Sequence, residues 1–384
     1  MDFQLNEELK TLQDTARKFA ETELKTKARE MDHAEKLDLS VFKKMAEQGF
    51  TALTIPEKFG GAGTYDAHMA NQAACIVLEE INRRCASTGV TLSVHMSLFS
   101  SLMTKWASDD IKSRYLPDMA SGKKIGAYCL SEAGAGSDAG SLQTRAKKNG
   151  DHYILNGTKL WITSGEYADV FIVMARTSDT GKTKDISSFV VDAKAPGVSI
   201  SKKEKKMGIR ASATNEVVLQ DVKVPANNLI GEEGIGFKIA LDTLDGGRIG
   251  IAAQAVGIAR ASVEDAVEYA KTRQQFEQPI AQFQAIQFKL ADMAMRVDAA
   301  RLLMYRAAWL RDNGLPCGKE AAMAKLAASE AANYCAKEAV QIFGGNGYSR
   351  EYDVERYFRD ARITEIYEGT SEVQRIVISR AVLA

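Results

Sequence analysis

Apolar residues recur at helical spacing through the first third of the chain. Leu9, Leu12, Ala16, Phe19 and Ala20 share one stripe of a run from Glu7 to Met31 that lacks Gly and Pro, as in an amphipathic helix. Similar spacing predicts a second helix from about Ala67 to Cys85 and a third across Ser93–Trp106, with FGGAGTYD (59–66) as a loop. From about residue 123 the texture changes. HYILNGTKLW (152–161) sets Asn-Gly between two strand-like runs, a hairpin signal. Val170–Ala175, Ser188–Val191 and Val217–Leu219 are short, apolar and β-branched, with little helix between them. They read as an antiparallel sheet or barrel, not as a parallel βαβ array. After Gly234 helical spacing returns: Ile251, Ala255, Ile258, Ala259, Ala266 and Ala270 hold one stripe within Ile249–Thr272, and Ala321–Ala339 is an alanine-rich run of the same kind. The expected fold is α+β and multidomain: an N-terminal helical domain (1–122), a central antiparallel β-barrel or sheet domain (123–233) and a C-terminal helical bundle (234–384).

Composition narrows the function. Fifty basic residues balance fifty acidic ones, without the basic excess of a nucleic-acid binder. No run of eighteen apolar residues suggests a membrane span. The opening MDFQLNEELK has no secretory pattern, so a cytoplasmic location is expected, or the mitochondrial matrix for a processed form. Five scattered cysteines and four separated histidines, with no CxxC or HExxH, point to free thiols and no metal.

Three stretches carry candidate chemistry. YCLSEAGAGSDAGSL (128–142) begins like a dinucleotide fingerprint, but its third glycine is one residue late and no helical pattern follows. It reads either as a plain connecting loop or as a loop whose amides and Ser131 and Ser137 hydroxyls hold an oxygen-rich group or a flavin edge. Trp161, in WITS, reads as a core residue or as a cover for an aromatic cofactor. In RITEIYEGTSEVQR, Gly369 interrupts a helix-like run and Ser371 with Gln374 fits a capping box. Glu368 then falls in a break where it can face a cavity, while Glu365 and Glu372 read as solvated or ion-paired residues on flanking helices.

Together YCLSEAGAGSD, WITSGEYAD, KKMGIRASATNEVVLQDVKVPANNLIG, TRQQFEQPIAQFQAIQ, QIFGGNGYSR and IYEGTSEVQR resemble, in order along nearly the whole chain, the acyl-CoA dehydrogenases. The resemblance implies FAD as cofactor. Tyr128, Leu130, Ser131, Gly136, Ser137, Trp161, Ile162 and Thr163 match contacts to the isoalloxazine ring, with Thr370 and Glu372 as further cofactor contacts. Arg273, Phe276 and Gln284 match residues on the pyrophosphate and adenosine, and Gln341 and Gly345 lie near the adenosine end. Some of these come from a neighbouring subunit in the family, which implies a homotetramer. Ser137, Asp245, Arg248, Tyr367 and Gly369 match positions on the acyl-CoA, and Val90, Thr91 and Val94 the acyl pocket. Ala133 stands where the family often has proline, and Ser131 where it has threonine.

The implied reaction places an acyl thioester between Glu368 and the flavin. Glu368 removes the α-proton while the β-hydrogen leaves as hydride to flavin N5, giving the trans-2-enoyl-CoA. Some relatives carry their base immediately before the arginine matched by Arg248; that position is Gly247 here. Relatives acting on a dicarboxylic acyl group place an arginine near the position of Gly89 to pair the distal carboxylate; this chain lacks it, which disfavours such a group. A short straight acyl chain is the expected substrate, a branched or alicyclic acyl group such as cyclohexanecarbonyl the alternative, and a non-catalytic acyl-CoA-binding scaffold the reading of another class. Electron-transferring flavoprotein is the implied acceptor.

Overall fold

The computed structural model describes residues 4–62 and 68–384. Glu7–Phe19 is helical, capped by Asn6, whose side chain accepts from the Leu9 amide at 2.8 Å. It continues through a π turn at Ala20–Leu24 into Lys27–Ala34. Leu9, Leu12, Ala16, Phe19 and Ala20 are all buried, as their spacing predicts. The second expected helix is Ala70–Arg84; residues 63–66 of the expected loop, and Ala67, lie outside the described residues. The third starts earlier than its pattern suggested, at Ala86, and reaches Trp106 through a π turn at Val94–Ser100.

Eight strands follow: β1 (Gly126–Cys129), β2 (Arg145–Asn149), β3 (His152–Thr163), β4 (Val170–Arg176), β5 (Ile186–Asp192), β6 (Val198–Lys203), β7 (Thr214–Pro225) and β8 (Leu229–Ile230). They form one sheet ordered β6-β7-β3-β2-β4-β5-β8, with β1 on β4. Pairing is antiparallel except that β4 runs parallel to β1 and meets β2 at one parallel pair. Strand alternation explains the unbroken apolar run of β4. Val170, Ile172 and Met174 join Tyr128 and Leu130 in the core shared with the helices, whereas Phe171, Val173 and Ala175 join Ala127 and Cys129 in a second core within the sheet domain.

The hairpin expected at Asn156-Gly157 does not form. β3 passes straight through this pair, and the turn falls at Gly150-Asp151, between the partners Asn149 and His152. Asn156 and Gly157 instead mark an irregularity where β3 pairs with β7. There the Asn156 side chain accepts from the Asp221 amide at 2.8 Å, and Gly157 lies so close to β2 that a Cβ would sit 2.8 Å from Thr144 Cα. Close backbone approach, not a turn, requires this glycine.

After the sheet the chain returns to helices. Gly236–Thr272 spans 37 residues, including a Gly-Gly step that hid its first third in the sequence. From Gly246 to Ala259 it is buried on every side, as befits the central helix of a bundle. Ala70–Arg84, Gln284–Asp312 and Gly318–Phe343 pack around it. Among the described residues no helix is long and apolar enough to cross a membrane.

Gly157→Ala is expected to destabilise the protein by about 1–3 kcal/mol, through overpacking against Thr144. Denaturant unfolding monitored within the sheet domain checks this.

Candidate active site

The break at residues 366–370 separates the 3₁₀ turn Ile363–Glu365 from the terminal helix Ser371–Leu383. Two successive residues take left-handed backbone, Glu368 at φ 51° and Gly369 at φ 92°. Glycine does so freely; for glutamate it costs of order 1–3 kcal/mol, a strain that recurs at functional sites. The capping box expected at Ser371 is absent. Thr370 is the N-cap, its hydroxyl accepting from the Val373 amide at 3.3 Å. Because both left-handed residues precede Thr370, that residue is the first extended one, and the cap shifts back by one. Gln374 turns toward the break, donating to the Gly369 carbonyl at 2.8 Å and to that of Glu368 at 3.3 Å.

The break aims Glu368 into the protein. Its Oε2 is buried and has no hydrogen-bond partner among the described residues. Burial pushes its pKa up to about 7, against the pull of the cations Lys325 and Arg248. Oε2 packs on Gly247, where any Cβ would overlap it, and Leu98 closes the same spot, 2.7 Å from where that Cβ would lie. A carboxylate at 247 and one at 368 therefore compete for one space.

Around Glu368 other buried polar atoms also lack partners: the Tyr128 hydroxyl, Arg248 Nε, Ser371 Oγ and Gln374 Oε1. Strand alternation turns Tyr128 toward the helices and into this group. Its hydroxyl pKa is raised by burial and by the nearby Glu368 charge. Arg248 is held by Asp245 at 2.6 Å. Tyr367 donates its hydroxyl to Gln254, whose amide in turn donates to the Ala86 carbonyl at 3.3 Å. So many unpaired polar atoms in one buried place mark a site that a polar ligand completes.

The 128–137 loop borders this group. Gly134 and Gly136 face open space, and Ser131 and Ser137 lie on the loop's accessible side. Trp161 is 61% exposed and left-handed, φ 60°, so it is not the core residue of the simpler reading. Thr163 is half-buried beside it, whereas the Ile162 side chain turns into the sheet core and offers a ligand only its backbone. Val90, Thr91 and Val94 are buried along the helix facing Gly247 and Gly250.

Five expected residues stand apart. Arg273, Phe276 (88% exposed), Gln284, Gln341 and Gly345 lie exposed at one end of the bundle, where Tyr269 stacks on Phe343 at 4.0 Å. Arg273 follows Gly247 by 26 residues along one helix, roughly 39 Å at the α-helical rise. Glu365 pairs with Arg362, and Glu372 is exposed on the first turn of the terminal helix.

Several residues escaped the sequence reading. Lys159, fully buried, donates to Leu130 O at 3.2 Å and Glu132 Oε1 at 2.7 Å, and the Leu160 amide donates to Ser131 O at 2.9 Å; these bonds pin the loop to β3. Gln254 and Lys325 also went unnoticed. Lys325 carried a signal, being a cation at the apolar spacing of Ala321, Ala328 and Ala332.

Family models described as the N-terminal, middle and C-terminal domains of acyl-CoA dehydrogenase match residues 6–123, 127–222 and 234–383. Over 376 residues the chain is 50% identical to the short-chain specific acyl-CoA dehydrogenase, mitochondrial, of Rattus norvegicus, covering 98% of this chain and 90% of that protein. It superposes on butyryl-CoA dehydrogenase from Megasphaera elsdenii with a TM-score of 0.97 and 45% identity, covering 100% of both chains. A chain in the structure of the electron transferring flavoprotein of Acidaminococcus fermentans gives the same TM-score, 0.97, with 45% identity and 100% coverage of both chains.

The raised pKa of Glu368 has a stability consequence. The folded state holds its proton up to about pH 7, the unfolded chain only to about 4.5. Stability is therefore lost as pH rises between these values, by about 3 kcal/mol. Glu368→Gln removes the penalty, so the melting-temperature gain over wild type should be larger at pH 8 than at pH 5. An equal gain at both would contradict the shifted pKa.

Proposed function

The chain belongs to the acyl-CoA dehydrogenase family, and on that footing we propose that Glu368 is the general base that α,β-dehydrogenates a short straight-chain acyl-CoA. The carrying observation is the buried, unpartnered Oε2 of Glu368, poised near neutral pH among other buried polar atoms that lack partners.

FAD fits the residues present: the unpartnered Tyr128 hydroxyl, the open glycine loop with Ser131, Gly136 and Ser137, the exposed, strained Trp161 and Thr163, with Leu130 behind them and Thr370 at the edge of the break. When bound, FAD supplies the ring that accepts the β-hydrogen with its bonding electrons. The chain's residues do the rest. Glu368 takes the proton from the α-carbon, its carboxylate becoming the acid as the C–H bond breaks. Its pKa near 7 makes it a far stronger base than an exposed glutamate. Its left-handed φ takes its amide out of the helical ladder, and no backbone carbonyl accepts that amide among the described residues, leaving it free to bond the thioester oxygen as charge develops. Tyr367 and Gly369 shape the same wall, and Arg248, held by Asp245, faces the CoA portion.

Two features support a short, uncharged acyl group. Gly89 is packed so tightly on the Asn82 amide that any side chain there would collide with it, leaving no place for an arginine to meet a distal carboxylate. Gln254, fully buried, bridges Tyr367 and Ala86, at the start of the helix that carries Val90, and on this proposal a longer acyl chain would have to displace this hydrogen-bonded amide.

The homotetramer is part of the same proposal and rests on the family resemblance. Arg273, Phe276, Gln284, Gln341 and Gly345 lie exposed at one end of the bundle, which suits contacts to a cofactor shared with a neighbouring subunit. Phe288, Met295, Leu302 and Trp309 are exposed at seven-residue intervals on the Gln284–Asp312 helix, an apolar seam suited to helix pairing. Electron-transferring flavoprotein is the proposed acceptor, supported by family resemblance and the Acidaminococcus structure. All five cysteines are buried and free, which suits the reducing cytoplasm.

Anaerobic flavin bleaching with straight, branched and cyclic acyl-CoAs tests the reading. Butyryl-CoA should bleach fastest, at a rate that rises with pH through about 7 as Glu368 loses its proton. Glu368→Gln should stay yellow and bind ligand while slowing bleaching by about 10²–10⁴-fold; bleaching at the wild-type rate would refute the base assignment. A Met295→Glu/Leu302→Glu variant should sediment as a smaller species and lose FAD.

A further inference from the structure

Lys325 is a cation the mechanism above does not use. It lies in the Gly318–Phe343 helix among Ala321, Ala322, Ala324 and Ala328, and it is fully buried. Lysine is rarely buried so completely without an anionic partner, because desolvating the ammonium costs several kcal/mol. Its Nζ donates instead to a carbonyl, Gly369 O, at 2.8 Å. That carbonyl also accepts from Gln374 Nε2 at 2.8 Å, and a Cβ on Gly369 would lie 2.6 Å from the same Nε2. The second left-handed residue of the break is thus clamped from two helices, one peptide away from Glu368.

We propose that Lys325 is a positioning residue for Glu368: its ammonium fixes the left-handed Glu368–Gly369 pair through the Gly369 carbonyl and serves as the fixed counter-charge to the Glu368 carboxylate. The inference rests on Glu368 being the base.

The charges facing this pair come from every neighbouring element. Arg248, from the central helix and already engaged by Asp245, is the other cation near Glu368. Tyr128 approaches from β1 and Tyr367 from the break, and neither carries charge at neutral pH, both being raised by burial. Glu365 and Glu372 act on Lys325 from the 3₁₀ turn and the terminal helix. Glu365 is neutralised by Arg362 and Glu372 lies in solvent, so Glu368 is the desolvated anion that Lys325 serves. Burial lowers the Lys325 pKa to about 8, which leaves it cationic at neutral pH.

The clamp divides into a hydrogen bond and a charge, and two variants separate them from mere packing. Lys325→Met nearly keeps the volume and leaves Gly369 O bonded to Gln374, so it should fold; Lys325→Gln keeps a polar end without the charge. For the holoenzyme with butyryl-CoA, both should raise the pH midpoint of flavin reduction by about one unit or more, with Met slower than Gln at its plateau. Both should also steepen the fall in melting temperature between pH 5 and pH 7.5, because the folded state then holds the Glu368 proton more tightly. Wild-type midpoints in both variants, whether or not the rate falls, would overturn the proposal. Glu368→Gln run in parallel keeps the outcomes distinct: normal bleaching there refutes the base itself, whereas an inactive Glu368→Gln beside unshifted Lys325 variants refutes the Lys325 proposal and leaves the base assignment standing.

Discussion

A carboxyl oxygen without a partner, Oε2 of Glu368, buried on the bare backbone of Gly247, is the constraint around which this structure is arranged. Burying an unpaired carboxylate is expensive, and the group responds by holding its proton to about pH 7. Everything that puts it there is costly too: a glutamate in left-handed backbone, a glycine pair inside a 37-residue helix, and a lysine sealed among alanines. Strain and desolvation of this kind persist only where the surrounding fold over-determines them. Here the central helix, the alanine-rich helix, β1 and the terminal helix all converge on one side chain.

The sheet domain contributes by alternation. One face of β1 and β4 packs inside the sheet domain, and the other reaches the helices and carries Tyr128 to Glu368. Lys159 and Glu132 then tie the glycine loop to β3, so that loop and strand present Ser131 and Trp161 together. The loop is thus tied to β3 by hydrogen bonds while Gly134 and Gly136 face open space.

Much of this was legible in the residues. Helical stripes located the helices because burial on one face leaves a 3.6-residue period, and six motifs in register identified the family. What stayed hidden depended on partners distant in sequence. Asn156-Gly157 has the composition of a turn, but the approach of Thr144 and the bond to Asp221 make it a strand irregularity. Ser371 and Gln374 have the spacing of a capping box, yet the left-handed Glu368–Gly369 pair moves the cap to Thr370. Gly247 is marked by the resemblance as the position of an alternative base, but only the structure shows Glu368 Oε2 filling the place its Cβ would take. The separation of the cofactor residues into two groups along the bundle is implied by the family resemblance, not by the spacing of the motifs.

The central claim is that burial, with Lys325 and Arg248 as the nearby cations, sets the proton affinity of Glu368 near neutrality. Infrared difference titration of the holoenzyme against Glu368→Gln measures it directly. The account predicts a single buried carboxyl whose C=O stretch disappears with a midpoint near pH 7. A midpoint near the ordinary glutamate value, between about 4 and 5, would contradict it.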